Sequence, residues 1–378
     1  MTLLAFAAVM IVVWAYVIAA TISTLRFTRR PIVAATSDEP VSVLKPLHGA
    51  EPGLYENLRS FTQQNHPAFQ LVFGVRDRDD GALVPVRALI ADKPECDIAL
   101  VIDPRATGSN LKVANLENML AAARHDLFVL ADSDMRVEPD YLDVVTAPLA
   151  DPATGMVTCL YKGVPGEGLW SRLAASHINF GFLPSAVLGE AMHVGGGCFG
   201  ATMALRREVF ERIGGFARVR NELADDHRMG SAVRRLGLRV ALSSYVVANH
   251  VTEPSLISLW RHELRWGRTS RAMAPGGYAG SIVTHTVMVP AIAAALYGPS
   301  FFTCGAVLLS LLLRWGSATI IARRLAVPAA GLGLLLLRDV LSFAVFVGSF
   351  CGRSVLWRDQ VFRVEASGRM RLEGDEPV

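Results

Sequence analysis

The chain has 378 residues, a net charge of +3, 52% hydrophobic residues and 19% charged residues. A soluble domain carries about 25% charged residues, so this composition points to a membrane protein with a soluble part and excludes disorder, a collagen-like repeat and a small disulfide scaffold. The excess charge is too small for nucleic-acid binding, which needs a concentrated basic surface. The five cysteines, Cys96, Cys159, Cys198, Cys304 and Cys351, are scattered with no CxxC pair. They predict neither a zinc site nor a disulfide framework.

From Leu3 to Ser23 the chain carries no charge, which is enough helix to cross a hydrocarbon core about 30 Å thick. Arg26, Arg29 and Arg30 follow this run rather than precede it. A cleaved signal peptide has the opposite order, so residues 1–25 read as an anchor with cytoplasm on their C-terminal side.

Residues 41–253 have ordinary globular composition. The runs 41–47, 69–75, 97–102 and 127–131 are continuous apolar stretches bounded by polar or turn residues and predict buried strands. Helical spacing over 54–63, 82–91 and 111–124 separates them. This alternation predicts an α/β fold, a mostly parallel sheet with helices on both faces. Ligands in such sheets bind beyond the carboxyl ends of the strands.

Acidic residues stand at those ends. Asp77, Asp79 and Asp80 follow the second strand, Asp132-Ser133-Asp134 follows the fourth, and Asp225-Asp226 opens a later helix. One such cluster alone serves equally well as a helix cap or a solvated turn. A D-x-D at a strand end brings two oxygen donors to one point and suits a hard divalent cation that also holds a diphosphate. A further carboxylate beside an acceptor hydroxyl can take its proton. Lys112 follows Gly108-Ser109-Asn110 and opens a helix, where backbone N–H groups favour a phosphate. The glycines Gly195, Gly196, Gly197 and Gly200 do not form a dinucleotide fingerprint and instead permit close backbone approach.

Residues 254–275 carry Leu256, Trp260 and Leu264 on one stripe, with Arg261, Arg265 and Arg268 beside it. This predicts an amphipathic helix at the membrane surface, with Trp and Arg at the headgroup level. Residues 281–352 are apolar again and predict spans at about 281–297 and 300–322. The stretch 325–352 contains Arg338 and Asp339, a pair that is costly in lipid unless partnered or wet. It therefore reads as one span, a re-entrant segment or an in-plane helix. The polar tail, 353–378, holds Arg353, Arg358, Arg363, Arg369 and Arg371, a bias that favours the cytoplasmic side.

In combination these motifs resemble the inverting family 2 and family 21 glycosyltransferases, whose signature is D, DxD, D and (Q/R)xxRW. The resemblance is carried by Val43-Leu44-Lys45-Pro46-Leu47-His48-Gly49, the Asp77 to Asp80 cluster, Gly108 to Lys112, Asp132-Ser133-Asp134, Ala224-Asp225-Asp226 and Arg265-Trp266. It is closer still to ceramide glucosyltransferases and their bacterial relatives in hopanoid biosynthesis, and covers most of residues 41–273. It implies a GT-A type fold with N-terminal and C-terminal transmembrane helices, a UDP-sugar donor, and Mg²⁺ or Mn²⁺ as cofactor. It implies a contact from Asp77 or Asp80 to the uracil, Asp132 and Asp134 at the metal and diphosphate, and Lys112 near the nucleotide. Asp226, or less closely Asp225, matches the general base, and Arg265 with Trp266 closes the site. His262 stands where the signature has Gln or Arg; it and His177 are placed on the acceptor side. The expected reaction moves N-acetylglucosamine to a hopanoid polyol in a bacterial inner membrane, with the catalytic block cytoplasmic. Glucose transfer to ceramide is the alternative, and a processive polysaccharide synthase or a transporter is further off.

Overall fold

A computed structural model describes residues 3–34, 38–194, 196–352, 354–357, 360–365 and 369–372. Gly195, Arg353 and Arg358 lie outside the described residues.

The soluble block is built on an eight-stranded sheet of β1 (Val41–Pro46), β2 (Phe69–Val75), β3 (Ile98–Ile102), β4 (Leu127–Ala131), β5 (Met135–Arg136), β6 (Thr154–Pro165), β7 (Thr202–Arg206) and β8 (Arg239–Val251), in the order β3-β2-β1-β4-β7-β6-β8-β5. The first four strands are parallel, with Val41 opposite both Phe69 and Leu127. β7 runs antiparallel to both β4 and β6, while β6 and β8 are parallel again. The sheet is thus mostly parallel and curled, as the alternation of apolar runs and helices predicts.

Successive strand side chains point to opposite faces, and the apolar runs exploit both. Val41, Val43, Leu71, Phe73 and Val129 bury against one layer of helices with Leu58, Phe61 and Val86. Leu44, Val72, Phe128 and Leu130 bury against the other, with Val113, Leu116 and Val233. Burial on both faces explains why these strands show no hydrophobic alternation.

Among the described residues three helices are long and apolar enough to cross a membrane: Leu3–Phe27, Phe301–Leu325 and Leu332–Phe350. The segment 281–297, expected to span, is not a single straight helix. Helix Met288–Tyr297 has only 10 residues, and it meets the preceding Pro275–Thr284 segment at a bend of 78°. At about 1.5 Å per residue neither piece spans alone.

The charges expected to be costly in 325–352 are partnered. Arg338 is fully buried and donates to both carboxylate oxygens of Glu263, at 2.6 and 2.7 Å. Asp339 accepts from Arg314 at 3.0 Å, and Arg314 also donates to the Phe180 carbonyl.

Candidate active site

The residues beyond the carboxyl ends of β1 and β4 face a cavity of about 940 Å³. Its floor is the turn after β4. Lys45, on β1, is fully buried and donates to the Asp132 carbonyl at 2.7 Å, with its ammonium 3.7 Å from the centre of the Phe61 ring. The Asp134 carbonyl accepts from the His250 amide at 2.9 Å, and its carboxylate accepts from Asn249 at 2.7 Å. Both aspartates of the D-x-D are therefore held by the backbone, leaving their side chains to line the cavity.

Their electrostatics favour a cation. Burial pushes the Asp134 carboxyl up to about 7, helped by the neighbouring charges of Asp132 and Glu51. Burial likewise lowers the Lys45 ammonium to about 7, against the pull of Asp134, Asp132 and Glu51. Lys112 pairs with Asp132 at 2.5 Å. Although burial disfavours its charge, Asp132 and Asp225 hold its pKa above the ordinary value. Among the described residues no three His, Cys, Asp or Glu side chains form a metal cage. A divalent ion here would be held by Asp132 and Asp134 and completed by a ligand's own oxygens, the usual arrangement for a hard cation carrying a diphosphate.

Asp225 and Asp226 open helix Asp225–Arg235 and also line the cavity. The two oxygens of Asp226 accept from the backbone amides of Gly200, at 2.8 Å, and His227, at 2.7 Å. The absence of a side chain eases this approach: a Cβ on Gly200 would lie 3.2 Å from Asp226 Oδ2 and 3.5 Å from Lys112 Nζ, so the carboxylate would have to give by a few tenths of an ångström. Burial raises the Asp226 pKa, and the bonds from His227 and Gly200 and the charge of Lys112 restrain the rise. Asp225 is pushed up to about 6, by burial above all.

Helix Leu256–Met273 forms the lid side. It is capped by Ser255, whose hydroxyl accepts from the Ser258 amide. His262, Arg265 and Trp266 all line the cavity. The His262 ring lies 4.4 Å from the Trp266 ring and donates from Nδ1 to Glu253 at 2.8 Å. Burial tends to raise Glu253, but the bonds from His262 and Ser258 hold it below the usual carboxylate value. The His177 ring is stacked with that of Trp266 at 6.4 Å, and burial depresses it to about 4, so it stands neutral at the cavity wall.

Asp77 and Asp80, expected at the uracil, are not among the residues that line this cavity. Asp80 spends its Oδ1 on the amides of Gly49 and Ala82, both at 2.8 Å, which fixes the turn carrying His48. Exposed Asp77 accepts from the Asp79 amide in its own turn. The anion site expected from the backbone before Lys112 is also closed, because the Asn110 side chain caps the amides of Lys112 and Val113 itself. Lys112 reaches the cavity through its side chain alone.

Glu51, Asn249, Glu253 and Glu263 line the site and Lys45 braces it through the Asp132 carbonyl; the sequence assigns none of them a role. Lys45 alone carried a signal, as a charge inside an otherwise apolar strand. The others depend on contacts between distant segments.

Among curated proteins, ceramide glucosyltransferase 1 of Caenorhabditis elegans is 27% identical over 237 residues, 62% of this chain and 50% of the relative. Ceramide glucosyltransferase 3 of the same organism is 25% identical over 242 residues, 62% of this chain and 51% of the relative. The chain thus spans about half the length of the curated relatives it matches. Among solved structures, a mannosyltransferase from Pyrobaculum calidifontis, in complex with GDP-Man and Mn2+, superposes with a TM-score of 0.52 at 18% identity. That match covers 92% of this chain and 99% of the other, and shares the fold. The family model described as Glycosyl transferase family 21 matches residues 3–370, and with most of its length so matched the chain belongs to that family.

Proposed function

We propose that this protein is an inverting glycosyltransferase that moves a sugar from a UDP-sugar to the hydroxyl of a membrane lipid. The observation that carries the reading is one cavity lined both by Asp132, Asp134, Asp226 and Arg265 and by Val345 and Phe346 of an apolar helix. A diphosphate and a lipid need these two environments side by side, since a lipid cannot leave the bilayer without exposing its apolar body to water.

Asp226 takes the proton from the acceptor hydroxyl as that oxygen bonds to the anomeric carbon. The bond from this carbon to the diphosphate oxygen breaks on the opposite face, which inverts the centre and needs no covalent enzyme intermediate. The backbone amides of Gly200 and His227 keep the carboxylate aimed. Arg265 and Lys112 supply fixed positive charge where the leaving diphosphate develops negative charge. A divalent cation on Asp132 and Asp134 adds to that neutralisation when bound. Trp266, in ring contact with His177 and His262, forms an apolar wall against which the acceptor is oriented.

For the finer substrate choice we keep N-acetylglucosamine and a hopanoid polyol, on the family resemblance of the motifs. Glucose and ceramide are the competing pair, favoured by the names of the curated relatives. The test incubates membranes containing the protein with labelled UDP-glucose or UDP-N-acetylglucosamine and either lipid, followed by mass spectrometry of the extracted lipids. One labelled glycolipid is expected, absent when Asp226 is Asn. A polymer product, or label transfer that survives loss of both Asp132 and Asp134, would overturn the reading.

A further inference from the structure

The path of the chain through the membrane follows from which groups touch. Helices Leu3–Phe27 and Phe301–Leu325 run side by side in the same direction. Trp14 bonds Ser310 at 2.9 Å, Thr21 bonds Ser317 at 2.6 Å, and Thr28 bonds Arg324 at 2.9 Å, three contacts at one constant offset. Their C-terminal ends share a side with the catalytic block, because Lys162 of β6 donates to the Leu325 carbonyl at 2.9 Å. Phe301 is therefore on the far side. The chain leaves the block at Met273 and must reach Phe301, so the bent pair Pro275–Thr284 and Met288–Tyr297 makes a crossing. Packing of Ala293 against Met10, Val13 and Ala306 places its second half beside the far half of the first helix.

Helix Leu332–Phe350 behaves differently, because both of its ends are tied to the catalytic block. Before it, Val327 and Ala330 share one apolar cluster with Leu160 and Phe180. After it, Arg268 donates to the Cys351 carbonyl at 2.5 Å and Arg271 to the Gly352 carbonyl at 2.7 Å. The strands that follow, Ser354–Trp357, Gln360–Val364 and Met370–Leu372, continue on the same side. The Met370 amide donates to Asn221 at 2.9 Å, and Val355, Phe362 and Met370 pack on Leu223, shortly before Asp225. A straight helix whose two ends lie on one side of a bilayer does not cross it.

We infer that Leu332–Phe350 lies in the plane of the membrane, in the leaflet facing the catalytic block, with the exposed side chains of Leu336, Val340 and Val347 among the acyl chains of that leaflet. Its two charges fit this placement: Arg338 and Asp339 face the protein and are paired there, while the opposite stripe is apolar throughout. The chain then crosses three times, and the tail sits on the catalytic side. This inference rests on the apolar helices and their contacts, and not on the proposed reaction.

The test uses the full-length protein in sealed vesicles of each orientation, a membrane-impermeant maleimide, and peptide mass spectrometry to locate the label. Cys96, on the catalytic block, reports one side, and a Tyr297→Cys variant reports the other; Cys351 is exposed. Cys351 is expected to label in the orientation that labels Cys96, and Tyr297→Cys in the opposite one. Labelling of Cys351 together with Tyr297→Cys would overturn the inference. Should lipid shield Cys351, protease removal of an epitope placed after Val378 gives the same decision. Loss of the epitope in vesicles that expose Cys96 is expected, and loss only in the opposite orientation refutes it.

Discussion

The buried pair of Arg338 and Glu263 gives an asymmetric prediction. The two side chains are 0% and 4% exposed and meet through two parallel hydrogen bonds. Removing one partner of such a pair costs about 3 to 5 kcal/mol, because it strands a desolvated charge, whereas replacing both by apolar groups of similar volume is close to neutral. The two single substitutions are not equivalent. A guanidinium stays protonated, but a stranded carboxylate takes up a proton. Glu263→Leu should therefore bear the full cost of about 3 to 5 kcal/mol at any pH. Arg338→Met should cost less and recover as pH falls. In that variant a proton taken up by the folded chain removes the stranded charge, so stability is gained towards acid. The double variant Glu263→Leu/Arg338→Met should return to near the stability of the parent chain. Thermal melts of the purified protein in detergent, from pH 5 to 8, check all three. Equal melting temperatures for the two single variants across that range, or a double variant as unstable as Glu263→Leu, would refute the reasoning. Trp266 lies one helical turn after Glu263, so transfer activity should follow the same ranking.

Replacing Asp226 by Asn should leave donor binding nearly intact and cut turnover by a factor on the order of 100 to 10,000, measured as kcat against the affinity for UDP. The rate should fall on the acid side at a pH above the ordinary carboxylate range near 4. The base acts only when deprotonated, and burial raises its pKa; a pH profile of kcat/KM reads this directly. Asp134→Asn removes a buried charge that Asp132 and Glu51 repel. It should raise the melting temperature of the metal-free protein while abolishing the rise that Mg²⁺ or Mn²⁺ gives the parent chain. Chelation of divalent ions should stop transfer, and restoring either ion should recover it in the parent chain but not in that variant.

The parts of the fold legible in the sequence are those whose signal is local. β1 to β4 stand out because burial on both faces leaves them as unbroken apolar runs between turns. Asp132, Asp134, Asp225 and Asp226 stand out because several acidic clusters follow strands or open a helix together, where any one alone reads as a cap or a turn. Position alone did not separate Asp80 from them. It occupies the same kind of turn, yet its oxygen is spent on the amides of Gly49 and Ala82, and only the folded loop reveals that. Asn110 misleads for the same reason. An asparagine before a helix marks a free N-terminus for a ligand or a cap that closes it, and the side-chain rotamer decides.

The membrane path was least legible because hydropathy reports the length of an apolar run but not where its ends are tied. Leu332–Phe350 satisfies any length test for a span. What sets its placement is a set of contacts made by residues distant in sequence: Arg338 with Glu263, Arg268 with Cys351, Met370 with Asn221. The same contacts give the helix a place in the chemistry. It packs along Leu256–Met273, with Gly348 close enough to Trp260 that an added Cβ would lie 3.2 Å from the indole. A helix in the leaflet and the helix carrying Arg265 and Trp266 are thus one packed unit. If the acceptor enters from that leaflet, its hydroxyl arrives at the level of the carboxylates while its apolar body stays beside Val345 and Phe346. A helix crossing the bilayer at this point would instead carry those residues away from the leaflet surface at which the proposed transfer takes place.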